Sequence, residues 1–378
     1  MLATQAGHLE AEAELGGYVA EEKAETLVST GRSALARMID PDGLSGDDIA
    51  LFGSATSAFA ALLDAWRLPP AARVGVVAFE YARNAALLTA RATRDGLRLV
   101  RLPVDGMGRL DLDRLDRHGP DLGGLDLATL PHVASHRGVV QPVRELAARC
   151  AAVGVPLLVD VAQSVGQVDI GGFAAGTGTG TGTGTGAGAG PGAGAGPGLG
   201  AVVWVGTSRK WLCGPRGVGF AAIGRDVSSR LHLGAPALTA ARWPAAGLFG
   251  GEAAIAARTG WAQAVLELEA AGPAAIARRI ADRALAVRRR LAPMPGWRVR
   301  EPLVDAGGQP SGILTVDLPD GGDPATARAR LLVDGVLTSA VTAERAPWEQ
   351  PSAALRLSVH AWTTHSDIEG LAAALARL

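Results

Sequence analysis

The fold is decided by two stretches of sequence: residues 157–170, LLVDVAQSVGQVDI, and residues 202–220, VVWVGTSRKWLCGPRGVGF. Each opens with a run of apolar side chains that does not alternate with polar ones, and such runs are typical of parallel strands buried on both faces. The first run ends at Asp160, and a short turn after the second carries Lys210. Because ligands of open parallel sheets bind beyond the carboxyl ends of the strands, both residues are predicted to face a ligand crevice.

Strands and helices alternate around these two stretches. Further strands are predicted at 73–79, 97–102 and 125–134. The alternation predicts an α/β fold whose large domain has a mostly parallel, doubly wound sheet. Beyond Pro295, shorter strands alternate with two helices, which indicates a smaller α+β domain. We therefore predict a large domain over 1–262 and a small C-terminal domain over 263–378.

Residues 174–200 have a different composition from the rest of the chain. Glycine occupies every second position from Gly176 to Gly200, separated mostly by threonine and alanine. Such a segment has no apolar face to bury and a large backbone entropy, so it is predicted to be a disordered surface loop inserted into the large domain. A silk-like sheet is the alternative, but a single copy has nothing to stack on.

Composition excludes several classes of protein. The chain has 378 residues, of which 48% are hydrophobic and 19% charged, so it is not a disordered chain. The net charge of −1 gives no polycation for nucleic acid or anionic lipid. Two cysteines make neither a disulfide framework nor a zinc site, and no metal is predicted. No stretch resembles a membrane span or a signal peptide, so a cytoplasmic protein is expected.

Lys210 is the first candidate catalytic residue. The chain has only two lysines, Lys23 and Lys210, and its other basic residues are arginines. A surface lysine in a loop is the simple interpretation of Lys210. Its position after a buried strand, beside Trp211, instead favours a desolvated amine that forms a Schiff base.

Asp160 and residues 53–57, GSATS, extend this hypothesis. Asp160 could simply cap the next helix. A carboxylate is, however, what keeps the pyridinium nitrogen of pyridoxal 5′-phosphate (PLP) protonated. The small residues of 53–57 open a helix, where backbone N–H groups bind phosphate, although any helix start can show this pattern.

Together these motifs resemble the class V aminotransferase-like PLP enzymes of fold type I, a group that includes cysteine desulfurases and selenocysteine lyases. The resemblance implies that Lys210 binds PLP covalently, that Asp160 pairs with the ring nitrogen and that Gln163 binds the ring hydroxyl. In the segment FEYARN (79–84), Tyr81 stands where the family usually has the histidine that stacks on the ring. The remaining implied cofactor contacts are Ala55, Thr56, Thr207 and Arg209 at the phosphate, and Ser135 near the ring.

The resemblance also implies how substrate and a second subunit are bound. Arg356, in an Arg-x-Ser strand, would bind the substrate α-carboxylate, and His136 is predicted to face the site. His132 is interpreted as a core histidine. The family is dimeric, so a homodimer is expected in which the segment around Gly251 reaches the phosphate of the neighbour. The family usually has a segment ahead of the first helix that passes the active site, whereas this sequence begins at that helix.

The positions of the cysteines narrow the choice among the reactions that this family catalyses. A cysteine desulfurase needs a thiol in the loop before the Arg-x-Ser strand, and residues 337–348 contain none. The segments HVASHRGVVQPV and EAAIAARTGWAQAV resemble the C–S lyases of ergothioneine biosynthesis, which act on hercynylcysteine sulfoxide. The trimethylammonium group of that substrate would need an aromatic face, for which Tyr81, Trp348 and Trp362 are candidates. The alternatives are an aminotransferase, another β-eliminating lyase, or a PLP-fold protein without catalysis.

Overall fold

A computed structural model describes residues 1–170, 201–228, 230–232, 252–301 and 310–378. The predicted insert at 174–200 and Gly251 lie outside these ranges. The helices described are α1 (Leu2–Leu15), α2 (Gly17–Ile39), α3 (Ala55–Ala65), α4 (Ala82–Asp95), α5 (Leu112–His118), α6 (Val143–Ala152), α7 (Arg225–Ser228), α8 (Ile255–Ala271), α9 (Pro273–Leu291), α10 (Pro324–Val333) and α11 (His365–Leu375). The strands are β1 (Ile49–Phe52), β2 (Arg73–Val76), β3 (Arg98–Arg101), β4 (Leu127–Pro131), β5 (Leu157–Asp160), β6 (Val202–Thr207), β7 (Gly219–Ile223), β8 (Arg298–Val299), β9 (Ile313–Asp317), β10 (Ser339–Val341) and β11 (Ala354–Ser358).

A seven-stranded sheet in the order β1-β7-β6-β5-β4-β2-β3 forms the centre of the molecule. Strands β3, β2, β4, β5 and β6 run parallel to one another. Strand β7 is antiparallel to both β6 and β1. This mostly parallel sheet, covered by helices, confirms the predicted α/β fold.

The large sheet is buried on both faces. Leu157 and Val159 of β5 belong to one hydrophobic cluster, and Leu158 between them belongs to a second. Successive side chains of a strand point to opposite faces, so an uninterrupted apolar run is the sequence of a strand covered on both sides. Each such side chain contributes roughly 1.5–3 kcal/mol on burial, which fixes the strand ends that carry the site.

A second, four-stranded sheet follows in the order β10-β11-β9-β8 with antiparallel pairing throughout. A small apolar cluster that includes Trp211, Ile280 and Ile313 connects this sheet to the turn after β6. The division at residue 262 falls within α8 and stays a prediction. Among the described helices, none combines the length and hydrophobicity that crossing a membrane requires.

Candidate active site

Lys210 and Asp160 lie at the same edge of the large sheet. Asp160 is the last residue of β5, and Lys210 follows the end of the neighbouring parallel strand β6 by three residues. A cavity of about 480 Å³ opens at this edge between the two sheets. Its lining residues are Tyr81, Ser135, Gln163, Arg209, Lys210, Trp211, Ser339, Arg345, Arg356, Ser358 and His360.

Asp160 is held by two hydrogen bonds. Its Oδ1 accepts from the Ala162 backbone N–H at 2.8 Å, and its Oδ2 accepts from Nδ2 of Asn84 at 2.9 Å. The same Asn84 amide donates to Oε1 of Glu80 at 3.1 Å. Asn84 therefore bridges two buried carboxyl groups. Burial and the charge of Asp160 raise the pKa of Glu80 to about 8, so Glu80 is mainly protonated at neutral pH.

The Lys210 amine is adapted to act as a nucleophile. Burial, together with the positive charges of Arg356, Arg209 and Arg345, lowers the pKa of Lys210 to about 8, while Asp160 opposes this change. A neutral amine is the form that attacks an aldehyde. A lysine with this pKa has a substantial neutral fraction near physiological pH, which an exposed lysine lacks.

The rate at which the apoenzyme captures PLP is therefore expected to depend on pH. It should rise about tenfold per pH unit below the Lys210 pKa and level off above about pH 8, because only the neutral amine reacts. The measurement is the absorbance of lysine-bound PLP after mixing at a series of pH values. Glu80 has a pKa in the same range, so the Glu80→Gln variant is the control. If Lys210 sets the pH dependence of PLP capture, this variant must show the same pH profile as wild type. A flat profile across neutral pH would contradict the assignment.

Gln163 presents a donor to the cavity. Its Oε1 accepts a hydrogen bond from the Trp211 indole Nε1 at 3.1 Å. Because an indole N–H can only donate, the bond fixes the amide orientation and leaves the Gln163 NH₂ group available. The Tyr81 ring also lines the cavity, with 6.0 Å between its centroid and Nζ of Lys210. These placements suit a ring that stacks on Tyr81 and accepts from Gln163.

The N-terminus of α3 lies beside the end of β6. Ser54 caps this helix, and its Oγ accepts from the Ser57 N–H, which leaves the N–H groups of Ala55 and Thr56 at the open first turn. Thr207 of β6 pairs with Gly219 of β7. A Cβ on Gly219 would lie 2.1 Å from the carbonyl carbon of Ser54. Glycine at this position thus allows the strand and the helix start to form a cup in which the free N–H groups can bind a phosphate.

Gly219→Ala is expected to weaken PLP binding by displacing α3 from the cup. The clash involves backbone atoms that cannot rotate away, so the variant should also lose about 1–3 kcal/mol of stability. Equilibrium titration with PLP and thermal unfolding measure the two effects. Gly224→Ala, just after the same strand and with no neighbour within 4 Å, is the matched control. Equal PLP affinity in the two variants would count against the cup.

Arg356 and Ser135 also line the cavity. Arg356 is 9% exposed, and one of its terminal nitrogens donates to the Ser135 carbonyl at 2.8 Å. Its Nε and the Ser135 hydroxyl are buried without a hydrogen-bond partner among the described residues. Burial and the nearby Arg345 lower the pKa of Arg356 to about 10. Unsatisfied buried donors of this kind are costly unless a ligand pairs with them.

His136, predicted to contact substrate, lies outside this cavity. Its Nε2 is 2.7 Å from the carboxylate of Glu349, and its ring lines a neighbouring cavity with Arg137. Glu349 also accepts a hydrogen bond from Arg137. In this position His136 holds the segment before β11 through Glu349. The geometry does not support a direct contact between His136 and a substrate in the Lys210 cavity. His132 is fully buried, and burial lowers its pKa to about 4.

The residues present fit PLP. The cavity is lined by a lysine of lowered pKa and by the aromatic face of Tyr81. The buried carboxylate of Asp160 and the N-terminus of α3, which packs against the strand paired with Thr207, lie at the same edge of the sheet. The unpaired Ser135 hydroxyl and Arg356 Nε supply further donors that a bound anionic amino acid derivative would satisfy. The fold and this site define a PLP-dependent enzyme of fold type I.

Comparison with known proteins agrees with this class. The family model described as aminotransferase class V matches residues 3–172. A probable hercynylcysteine sulfoxide lyase from Mycobacterium tuberculosis (strain CDC 1551 / Oshkosh) is 36% identical, over 98% of this chain and 84% of the relative. The chain therefore belongs to the class V aminotransferase family and uses PLP.

Solved structures show the same fold at low sequence identity. The apo cysteine desulfurase from Thermococcus onnurineus NA1 superposes with a TM-score of 0.79 and 16% identity, over 99% of this chain and 91% of that one. The cystine C–S lyase C-DES in complex with cysteine persulfide gives a TM-score of 0.78 and 18% identity, over 99% and 93% of the two chains. At this level of identity the similarity concerns the fold.

Proposed function

We propose that this chain is a PLP-dependent carbon–sulfur lyase that cleaves hercynylcysteine sulfoxide, leading to ergothioneine, pyruvate and ammonia. Two findings support the proposal. The chain resembles a probable lyase of this substrate along nearly its whole length. The observation that carries it is the cavity itself, which combines Lys210 and Arg356 but includes no thiol among its lining residues.

The position of both cysteines favours a lyase over a desulfurase. Cys150 is buried in α6, where burial raises its pKa to about 11. Cys213 lines a separate cavity and lies 3.3 Å from Nε2 of His360. Neither cysteine lines the Lys210 cavity, which favours departure of the sulfur atom on the organic fragment over its transfer to a cysteine.

The side chains have distinct tasks in this reaction. Bound PLP supplies the electron sink for the bonds that break at the substrate. Arg356 binds the α-carboxylate, Lys210 accepts the proton from Cα, and Asp160 keeps a negative charge at the ring nitrogen. The C–S bond then breaks, and the imidazole fragment leaves as a sulfenic acid. Hydrolysis of the remaining three-carbon fragment gives pyruvate and ammonia, and an external thiol reduces the sulfenic acid to ergothioneine.

Trp362 is an accessible candidate for the trimethylammonium group, although it lines the neighbouring Cys213 cavity and reaches the Lys210 cavity through His360. Its side chain is 61% exposed and stacks at 3.6 Å on His360, which lines the cavity. Burial lowers the pKa of His360, so this ring adds no repelling charge near neutral pH. The Trp348 ring is already covered by the Arg101 guanidinium, 4.1 Å from its centroid. Of the three candidates, Trp348 is therefore the least suited.

Turnover of hercynylcysteine sulfoxide by the purified holoenzyme tests the proposal. Pyruvate and ammonia should form in equal amounts without any added 2-oxo acid, and mass spectrometry should find ergothioneine when a thiol reductant is present. A strict requirement for an amino acceptor would indicate an aminotransferase. Absence of any reaction with sulfur amino acids would favour a PLP-fold protein without catalysis.

The homodimer and the cytoplasmic location stay predictions. Several large apolar side chains of α1 and the start of α2 are exposed in the single chain, which supports burial against a second copy: Leu2, Leu9, Leu15 and Tyr18. The segment around Gly251, expected to reach the partner, is not described. Sedimentation of the holoenzyme measures the state, and a fully active monomer would refute the dimer.

A further inference from the structure

The active-site cavity carries more positive charge than the reaction uses. Its lining includes Arg209, Lys210, Arg345 and Arg356, and no acidic side chain lines it among the described residues. The carboxylate of Asp160 is buried and is not among the lining residues. A buried cation in such a cavity is costly unless an anion of the ligand pairs with it.

Three of these cations have partners in the proposed reaction. Arg209 follows Thr207 by two residues, and the family resemblance assigns it to the cofactor phosphate. Lys210 forms the covalent bond to PLP, and Arg356 binds the α-carboxylate of the substrate. These pairings leave Arg345 without an anion.

Arg345 is not neutralised by the protein either. It ends a short 3₁₀ turn, Ala343–Arg345, that follows β10. Its half-buried guanidinium has no hydrogen bond or ion pair to another described residue. The two carboxylates near it in the chain have other partners: Glu344 accepts from the Thr342 hydroxyl, and Glu349 pairs with His136 and Arg137.

The environment of Arg345 also favours an incoming anion. Burial lowers the pKa of Arg345, while the Tyr81 phenol opposes the change. The charge of Arg345 in turn contributes to the lowered pKa values of Arg356 and Lys210. The three cations repel one another, and a ligand with two carboxylates would relieve this repulsion at both arginines.

We infer that Arg345 binds a second carboxylate, carried by the leaving group, so that the enzyme selects sulfur amino acids whose departing fragment is anionic. This inference rests on the proposed lyase function and deepens it. Hercynylcysteine sulfoxide meets the requirement, since its hercynyl part has a carboxylate of its own. An arginine forms short, bidentate hydrogen bonds with a carboxylate, which makes the subsite selective as well as attractive. Arg345 is thus a specificity-determining residue.

The test compares substrates that differ in one charge. Hercynylcysteine sulfoxide and its hercynyl carboxamide are assayed with wild type, Arg345→Gln and Arg345→Lys. Wild type should prefer the acid, and Arg345→Gln should lose about 10–150-fold of kcat/KM for the acid but much less for the amide, as expected for a charged hydrogen bond. Arg345→Lys should restore part of the preference. Arg328→Gln, exposed on α10, controls for removal of an arginine.

A binding measurement separates this inference from the proposed function. S-(3-carboxypropyl)-L-cysteine and its carbamoyl analogue are titrated into the holoenzyme, and the PLP absorbance change gives their affinities. Wild type should bind the acid more tightly, and Arg345→Gln should bind both about equally. If hercynylcysteine sulfoxide reacts but Arg345→Gln keeps the acid preference, the second subsite is wrong and the lyase stands. If hercynylcysteine sulfoxide does not react, but wild type prefers the acid ligand and Arg345→Gln does not, the proposed lyase function is wrong and the second subsite stands.

Discussion

Lys210→Ala is expected to abolish the visible absorbance of lysine-bound PLP and to lower turnover by at least about 10³-fold, because one amine both binds the cofactor and moves the Cα proton. Lys210 is the only described lysine that lines the cavity, and its lowered pKa suits both tasks. No neighbouring side chain can replace it, since arginine stays protonated and cannot form the covalent bond. Absorbance spectroscopy and a pyruvate assay measure the two effects.

Lys23→Ala is the matched control for this variant. Lys23 is the second of the two lysines and lies exposed on α2. It should keep the spectrum and the turnover of wild type. If Lys210→Ala kept the absorbance band after removal of free PLP, the covalent assignment would be wrong, whatever its effect on activity.

The sequence was sufficient for the parallel strands and for the residues at their ends. Strands β5 and β6 are apolar on both faces, so their sequences show no alternation and the pattern is easy to recognise. Asp160 ends the first run and Lys210 lies in the turn after the second, and an open sheet leaves both at its carboxyl edge. Strand β7 was not predicted, because it has only five residues and follows a segment with glycine and proline. Its antiparallel pairing with β6 is a long-range contact that local sequence does not encode.

Other parts of the site depend on tertiary contacts in the same way. Glu80 and Asn84 are spaced four residues apart at the start of α4, yet only packing against β5 brings them to Asp160. The chain is rich in arginine, so the sequence alone does not distinguish Arg345 from the other arginines. Only the structure shows that Arg345 lines the cavity without an anionic partner among the described residues. His136 shows the opposite case, because a motif near the cofactor suggested substrate contact and the fold turns the ring toward Glu349.

Asp160→Asn is expected to retain PLP on Lys210 but to lower turnover on the order of 100-fold, the effect of losing one hydrogen bond to a charged group. Both oxygens of Asp160 accept hydrogen bonds, from Ala162 N–H and from Asn84. An asparagine would therefore place its NH₂ group against a donor. It would also remove the charge that is proposed to hold a proton on the ring nitrogen and that adds to burial in raising the pKa of Glu80. The spectrum should persist while kcat falls.

Two further variants show whether this loss comes from the charge of Asp160. Asp126→Asn changes the same residue type at the opposite end of the sheet, where its carboxylate accepts from the Arg73 N–H, and turnover should stay near wild type. Glu80→Gln should lower turnover less than Asp160→Asn, because the side chain with a pKa of about 8 is already mainly neutral at pH 7. Wild-type kcat in Asp160→Asn would show that the reaction does not depend on a charged partner at the ring nitrogen. A larger loss in Glu80→Gln would instead make Glu80 the carboxyl group on which the site depends.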